Sequence, residues 1–136
     1  RYRYRVVTAK SPFARRYALR VMPGIDFDAM NRAAELLYDY TDFTSFSKLH
    51  TDTKTNICHV EKAYWKNIEG DLWQFEIKAD RFLRNMVRAV VGSLIEVGRG
   101  KKEPVWIKHL IDEGTRSDAG SSVPGNALFF SGAEYK

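Results

Sequence analysis

Residues 79–101 read ADRFLRNMVRAVVGSLIEVGRGK, and the periodicity of this stretch decides the fold. Phe82, Met86, Val90 and Leu94 recur every fourth residue, with Leu83, Val87 and Val91 beside them. That spacing predicts one apolar stripe of a helix. Arg81, Arg84 and Arg88 recur at i, i+3 and i+7, which predicts a guanidinium row along a second stripe. Asp80 is expected to cap the helix start and Gly98 to end it in the left-handed conformation, with Arg99, Lys101 and Lys102 as a cationic tail. Two readings share this pattern: a core helix with a solvated basic face, and a helix that aims arginines at a polyanion.

Charge outside the helix bears on that choice. The chain has 136 residues and a net charge of +5, which is modest, but the cations are clustered. Seven lie in residues 1–20 and six in residues 81–102, so two short segments hold thirteen of the 22 basic residues. If the fold brings those segments together, they form a phosphate-binding face. The length suits one domain with a real core, and a hydrophobic fraction of 44% with 13% aromatics is that of a folded chain, not a disordered one. No apolar run approaches the ~20 residues of a membrane span. The first residues alternate Arg and Tyr, unlike a secretory leader, and the absence of an initiating Met suggests a piece of a longer protein. A single cysteine, Cys58, excludes an internal disulfide and fits a reducing, cytoplasmic compartment.

Working outward from the helix, Tyr2, Tyr4 and Val6 alternate with Arg1, Arg3 and Arg5, the pattern of a strand. Residues 16–21 read as a short extended segment. Pro23-Gly24 is a turn, Asp26 a helix cap, and Phe27, Met30, Ala33, Ala34 and Leu37 predict a helix to about Tyr40. Residues 41–55 read as a loop anchored by Phe43 and Phe46. Ile57 to Lys66 and Leu72 to Ala79 read as a hairpin around Gly70. A shorter helix starts near Pro104 and ends at Gly114, residues 115–126 are a loop, and Ala127 to Tyr135 is a last strand. Leaving out the short helix, the order is β-α-β-β-α-β. That is an α+β fold of the ferredoxin-like split βαβ type, an antiparallel sheet with helices on one face, and its open face is a common place for RNA.

The helix and its flanks resemble the TruA family of tRNA pseudouridine synthases, whose pattern is close to A-x-x-F-L-x-x-M-V-R-x-x-V-G-x-L-x-x-V-G-x-G. It stands here as Ala79, Phe82, Leu83, Met86, Val87, Arg88, Val91, Gly92, Leu94, Val97, Gly98 and Gly100. Arg1-Tyr2-Arg3-Tyr4, Asp42-Phe43-Thr44-Ser45-Phe46, and Val123-Pro124 followed by Leu128-Phe129-Phe130 agree with further family elements in the same order. Cys58 stands where the family usually has Arg, and Asn126-Ala127 replace its usual x-G before Leu128. The resemblance spans essentially the whole chain but only the C-terminal half of such an enzyme. The family's catalytic aspartate lies upstream, in G-R-T-D-A-G-V-H-A. Arg116-Ser117-Asp118-Ala119-Gly120 mimics part of that motif, but it lacks the leading Gly and the trailing V-H-A, so Asp118 reads as a loop residue.

The resemblance implies tRNA uridine as substrate, in the anticodon stem-loop, with a homodimer, an N-terminal half of the same enzyme as partner, and no metal or organic cofactor. Arg88 would pair with the aspartate of that other half. Tyr2 would stack on the flipped uracil and assist proton removal from C5, and Leu128 would form an apolar wall beside the base. Arg1, Arg3, Arg84, Lys48, Lys101 and Lys102 are candidate phosphate contacts. On pattern alone Tyr2 and Leu128 read as packing residues and Arg88 as a surface ion-pair partner. Other chemistry finds little support. Cys58 and His59 are strand neighbours and point to opposite faces, the three histidines and Cys58 have no zinc spacing, and no Gly-rich phosphate loop opens a helix. A non-catalytic RNA-binding module is the main alternative, yet residues 72–79 lack the Lys/Arg-Gly-aromatic signature of such a sheet. A ferredoxin-like small-ligand or protein-interaction domain leaves the basic segments unexplained.

Overall fold

Strand β1 (Tyr2–Val7) organises the sheet, because its alternation sorts every neighbour onto one of two faces. In the computed structural model, which describes residues 1–8, 18–46, 57–82, 85–113 and 122–130, Tyr4 and Val6 are fully buried. β1 pairs antiparallel along its whole length with β4 (Leu72–Ala79), placing Tyr2 opposite Ile77, Tyr4 opposite Phe75 and Val6 opposite Trp73. β4 pairs in turn with β3 (Val60–Glu69), and Gly70 makes the hairpin turn at φ 54°. The far edge of β1 is shared. β2 (Leu19–Arg20) runs parallel to Val6 and Val7, and β5 (Leu128–Phe130) runs antiparallel to Tyr2 through Tyr4. The order β5-β1-β4-β3 is that of the split βαβ fold, with β2 as an extra edge piece.

The helices cover the Tyr4 face. Helix α1 (Phe27–Glu35) starts where expected, with Asp26 Oδ1 accepting from the Ala29 N–H at 2.9 Å, and runs on as a 3-10 turn over Leu36–Asp39. Phe27 stacks on Trp73 with ring centroids 3.8 Å apart, fixing α1 to the sheet. Phe43 and Phe46 are fully buried, so the irregular segment between α1 and β3 is anchored as expected; residues 47–56 lie outside the described ones. Helix α3 (Trp106–Glu113) follows Pro104 and buries Ile107 and Leu110. No helix among the described residues is long and apolar enough to cross a membrane.

Helix α2 (Met86–Gly98) departs from expectation at both ends. It begins at Met86, not at Asp80, because the Asp80 carboxylate is engaged elsewhere. Asp80 Oδ1 accepts from the His59 N–H at 2.8 Å, Oδ2 lies 3.0 Å from His59 Nδ1, and Asp80 N–H donates to the His59 carbonyl at 3.1 Å. Arg81 Nη1 donates to the Ile57 carbonyl at 3.1 Å. The β3–β4 hairpin is thus stapled one step past its last ladder pair, and Phe82 lies outside both β4 and α2. Asn85 then turns the chain in the left-handed region at φ 66°, a conformation Asn tolerates, and its carbonyl accepts the first helical bond from Ala89. The row of Arg81, Arg84 and Arg88 therefore does not exist as a helical stripe: Arg81 is outside α2 and Arg84 is outside the described residues.

At the other end Gly98 is helical, and Gly100 takes the left-handed position at φ 82°. Gly100 N–H bonds the Val97 carbonyl at 3.0 Å and Lys101 N–H the Glu96 carbonyl at 3.1 Å, a Schellman closure. Gly98 is glycine for a different reason. A β-carbon there would collide with Met30 Sδ and lie 2.8 Å from Ile25 Cγ1, so it permits the close approach of α1 to α2.

Candidate active site

Arg88 sits in the first turn of α2, half-buried. Its Nε donates to the Val123 carbonyl at 2.7 Å, and the Val123 N–H returns a bond to the Arg88 carbonyl at 3.2 Å. The next carbonyl, that of Pro124, accepts from the Tyr4 hydroxyl at 2.7 Å. Asn85 Nδ2 holds the Ser122 hydroxyl at 2.6 Å. Residues 122–125 thus form a strap tied to α2 and to β1. A β-carbon on Gly125 would stand 3.7 Å from Arg88 Cζ, so the strap runs directly along the guanidinium. Burial pushes the Tyr4 hydroxyl up to about 12, with the Arg88 charge pulling weakly the other way.

With Nε bound to Val123, the Nη1 and Nη2 atoms of Arg88 have no partner among the described residues. That end of the guanidinium is a fork suited to a carboxylate. Tyr2 lies two residues before Tyr4 on the same face of β1, half-buried, and Phe82 meets its ring edge-on with centroids 4.9 Å apart. Leu128, half-buried, is the register partner of Tyr4. An arginine with an open fork, an aromatic ring and an apolar side chain can together hold an anion and a flat ring.

The other expected contacts separate. Arg3 and Arg5 lie on the sheet face away from the helices, opposite Glu76 and Gln74. There Arg1 Nη1 pairs with Glu76 Oε2 at 2.9 Å, Tyr64 donates to Glu76 Oε1 at 3.1 Å, and Arg5 Nε donates to Gln74 Oε1 at 3.1 Å while its guanidinium covers Phe129. The expected convergence of the two cationic segments holds only in part: Arg1, Arg3 and Arg5 lie on the sheet face opposite Arg88, whereas Arg20 of the first segment lines one pocket with Arg99 of the second, and Lys10, Arg15 and Arg16 lie outside the described residues. Lys101 and Lys102 are exposed beyond α2, with Lys102 Nζ 5.1 Å from the Trp106 ring centre. Lys48 and Arg84 lie outside the described residues, as does Asp118. Cys58 is buried and His59 exposed, but both precede β3 and are not the strand neighbours expected. Sequence reasoning did not single out Tyr4, Phe82 or the strap carbonyls as part of the site. Tyr4 repeats the Tyr2 pattern, but nothing in that pattern marks a bond to a carbonyl 120 residues away.

The split βαβ sheet carries beside it an arginine pinned by backbone, whose fork has no partner among the described residues. Comparison with known proteins gives that arrangement a family. Residues 33–136 match the family described as tRNA pseudouridine synthase. The chain is 56% identical over 136 residues to tRNA pseudouridine synthase A of Bacteroides thetaiotaomicron, covering 98% of this chain and 51% of the relative. It is 53% identical to the enzyme of that name from Parabacteroides distasonis, covering 98% of the chain and 53% of the relative, and 37% identical to that of Halalkalibacterium halodurans, covering 93% and 49%. The chain belongs to the tRNA pseudouridine synthase family, and within it to the TruA type. It spans about half the length of the curated relatives it matches.

Proposed function

We propose that this chain is the C-terminal domain of a cytoplasmic, homodimeric synthase that isomerises uridine to pseudouridine in the anticodon stem-loop of tRNA. The other half of the enzyme supplies the catalytic aspartate. The reaction breaks the N1–C1′ bond, rejoins the ring through C5, removes the C5 proton and leaves a proton on N1. The target base must leave its stack to be reached. The open Arg88 fork carries the reading, since it is suited to keeping a carboxylate ionised and oriented beside the flipped nucleoside. Tyr2 stacks on the detached uracil and assists loss of the C5 proton, and Leu128 walls the base. Lys101 and Lys102 meet phosphate, together with Arg84 and Lys48. Arg3 and Arg1 belong to the other sheet face and contribute to tRNA binding only if the substrate reaches round the sheet edge.

Pseudouridine mapping on tRNA with the full-length enzyme tests this. Conversion at anticodon-stem uridines is expected with the wild type, and Arg88→Ala should lose most turnover while tRNA affinity falls less. Unchanged turnover in Arg88→Ala would remove Arg88 from the site. Residues 1–136 alone should convert no uridine; conversion would return Asp118 to consideration.

A further inference from the structure

We propose that Tyr4 is a positioning residue for Arg88, acting through the 122–125 strap; this rests on the reading of Arg88 as the carboxylate's partner. Two successive carbonyls of one chain segment carry the argument. Val123 accepts from Arg88 Nε at 2.7 Å and Pro124 accepts from Tyr4 at 2.7 Å. The guanidinium is planar, so fixing Nε leaves only rotation about that bond to aim the Nη fork. The Val123 carbonyl is a useful reference point only if the strap itself is fixed. Its ties to α2, from Arg88 and Asn85, hold it on the helix side. The Tyr4 hydroxyl holds it to the central strand of the sheet that carries Tyr2 and Leu128, and the strap is fixed only when both sets of bonds are made.

Tyr4 is a rigid anchor. It is fully buried, faces Phe75 across one ladder and Leu128 across the other, and belongs to the central strand. Its hydroxyl, held up to about 12, remains a protonated donor throughout the range in which an enzyme works. Removing that hydroxyl leaves the Pro124 carbonyl to water. The strap then loses its hydrogen bond to the sheet, and Arg88 loses its aim. A misplacement on the order of 1 Å suffices to slow a reaction roughly a hundredfold.

The test uses the full-length enzyme with Tyr4→Phe, Arg88→Lys and the double variant. Tyr4→Phe keeps the ring. It should lower kcat by roughly tenfold to a hundredfold with tRNA affinity changed by less than about twofold. Lysine has no Nε–H fork for Val123 to hold. In the Arg88→Lys background, Tyr4→Phe should therefore have an effect under about twofold, the non-additivity of residues acting as one unit. Wild-type kcat in Tyr4→Phe, or its full effect persisting beside Arg88→Lys, overturns the inference while leaving the functional reading standing. Wild-type kcat in Arg88→Lys overturns the functional reading and the inference with it. Should Tyr4→Phe fail to fold, Ser122→Ala spares the core and cuts the Asn85 tie of the same strap. It carries the same expectation, and wild-type kcat in it overturns the inference.

Discussion

The rings of Tyr2 and Phe82 meet edge to face, with centroids 4.9 Å apart and planes at 89°. The staple precedes Phe82 directly, since Asp80 and Arg81 bind His59 and Ile57 and tie the chain to the hairpin before α2 begins. An aromatic pair of this kind contributes about 0.5–1.5 kcal/mol beyond its buried area. Phe82→Leu keeps an apolar side chain and removes the ring edge. Turnover of the full-length enzyme should fall up to about tenfold, from an interaction of that size lost in the transition state. Phe82→Tyr should retain most of it. Single-turnover pseudouridine formation checks both, and an undiminished rate in Phe82→Leu would show that Tyr2 does not depend on Phe82.

The same contact shows where sequence is legible. The order of strands and helices follows from local periodicity, because Tyr2, Tyr4 and Val6 need only alternate for β1 to acquire a buried face. The break between β4 and α2 is set by bonds from Asp80 to a residue 21 positions away and from Arg81 to one 24 positions away. Phe82 fits the helical spacing to Met86 as well as any residue could, so no local signal marks it as lying outside the helix. The glycines are similar. Gly98 reads as the helix end from local spacing, and nothing local shows that Met30 and Ile25 pack against it while Gly100 takes the left-handed position. In the site, the motif pointed to Arg88, Tyr2 and Leu128; Leu128 is the register partner of Tyr4, whose hydroxyl reaches the segment that also binds Arg88. The distribution of charge did not foretell that strand alternation would turn Arg3 and Arg5 to the far face.

The two glycines should respond differently to substitution. Gly98→Ala places a methyl against Met30 and Ile25 and should cost about 1–3 kcal/mol, the range for overpacking a filled interface. Gly100 has open space around it but a φ of 82°. Gly100→Ala should cost roughly 1–2 kcal/mol, and Gly100→Asn clearly less, because Asn tolerates the left-handed region. Gly98→Asn should be worse than Gly98→Ala. Urea midpoints for the four variants decide the matter; equal tolerance of Asn at both positions would mean that Gly98 is not tightly packed.

The Asp80–His59 staple predicts an acid-side effect. The backbone N–H and side chain of His59 hold the Asp80 carboxyl below its ordinary 3.8. A carboxylate whose pKa is depressed on folding adds stability above its unfolded pKa and loses it as pH falls through the folded one. Wild-type stability should therefore decline more steeply below about pH 4 than that of Asp80→Asn, which lacks the titrating group. Thermal unfolding between pH 2.5 and 6 reads the difference. Parallel curves would mean that the staple contributes nothing to the folded state.

Lys101 and Arg88 should be separable by salt. Lys101 is exposed just past the Gly100 turn and makes no ion pair among the described residues. A lysine of this kind acts on a phosphate as a point charge, and its binding energy comes largely from counterion release. Lys101→Ala should weaken tRNA binding and reduce the slope of log K against log salt by about one, while kcat at saturating tRNA is kept. Arg88 is half-buried, with one nitrogen already bound to the Val123 carbonyl, and its open fork is suited to a carboxylate. Arg88→Ala should lower kcat and leave that slope nearly unchanged. Titrations at several salt concentrations, paired with turnover at saturation, distinguish the two. A slope change in Arg88→Ala as large as that in Lys101→Ala would make Arg88 a phosphate contact and leave the carboxylate without its partner on α2.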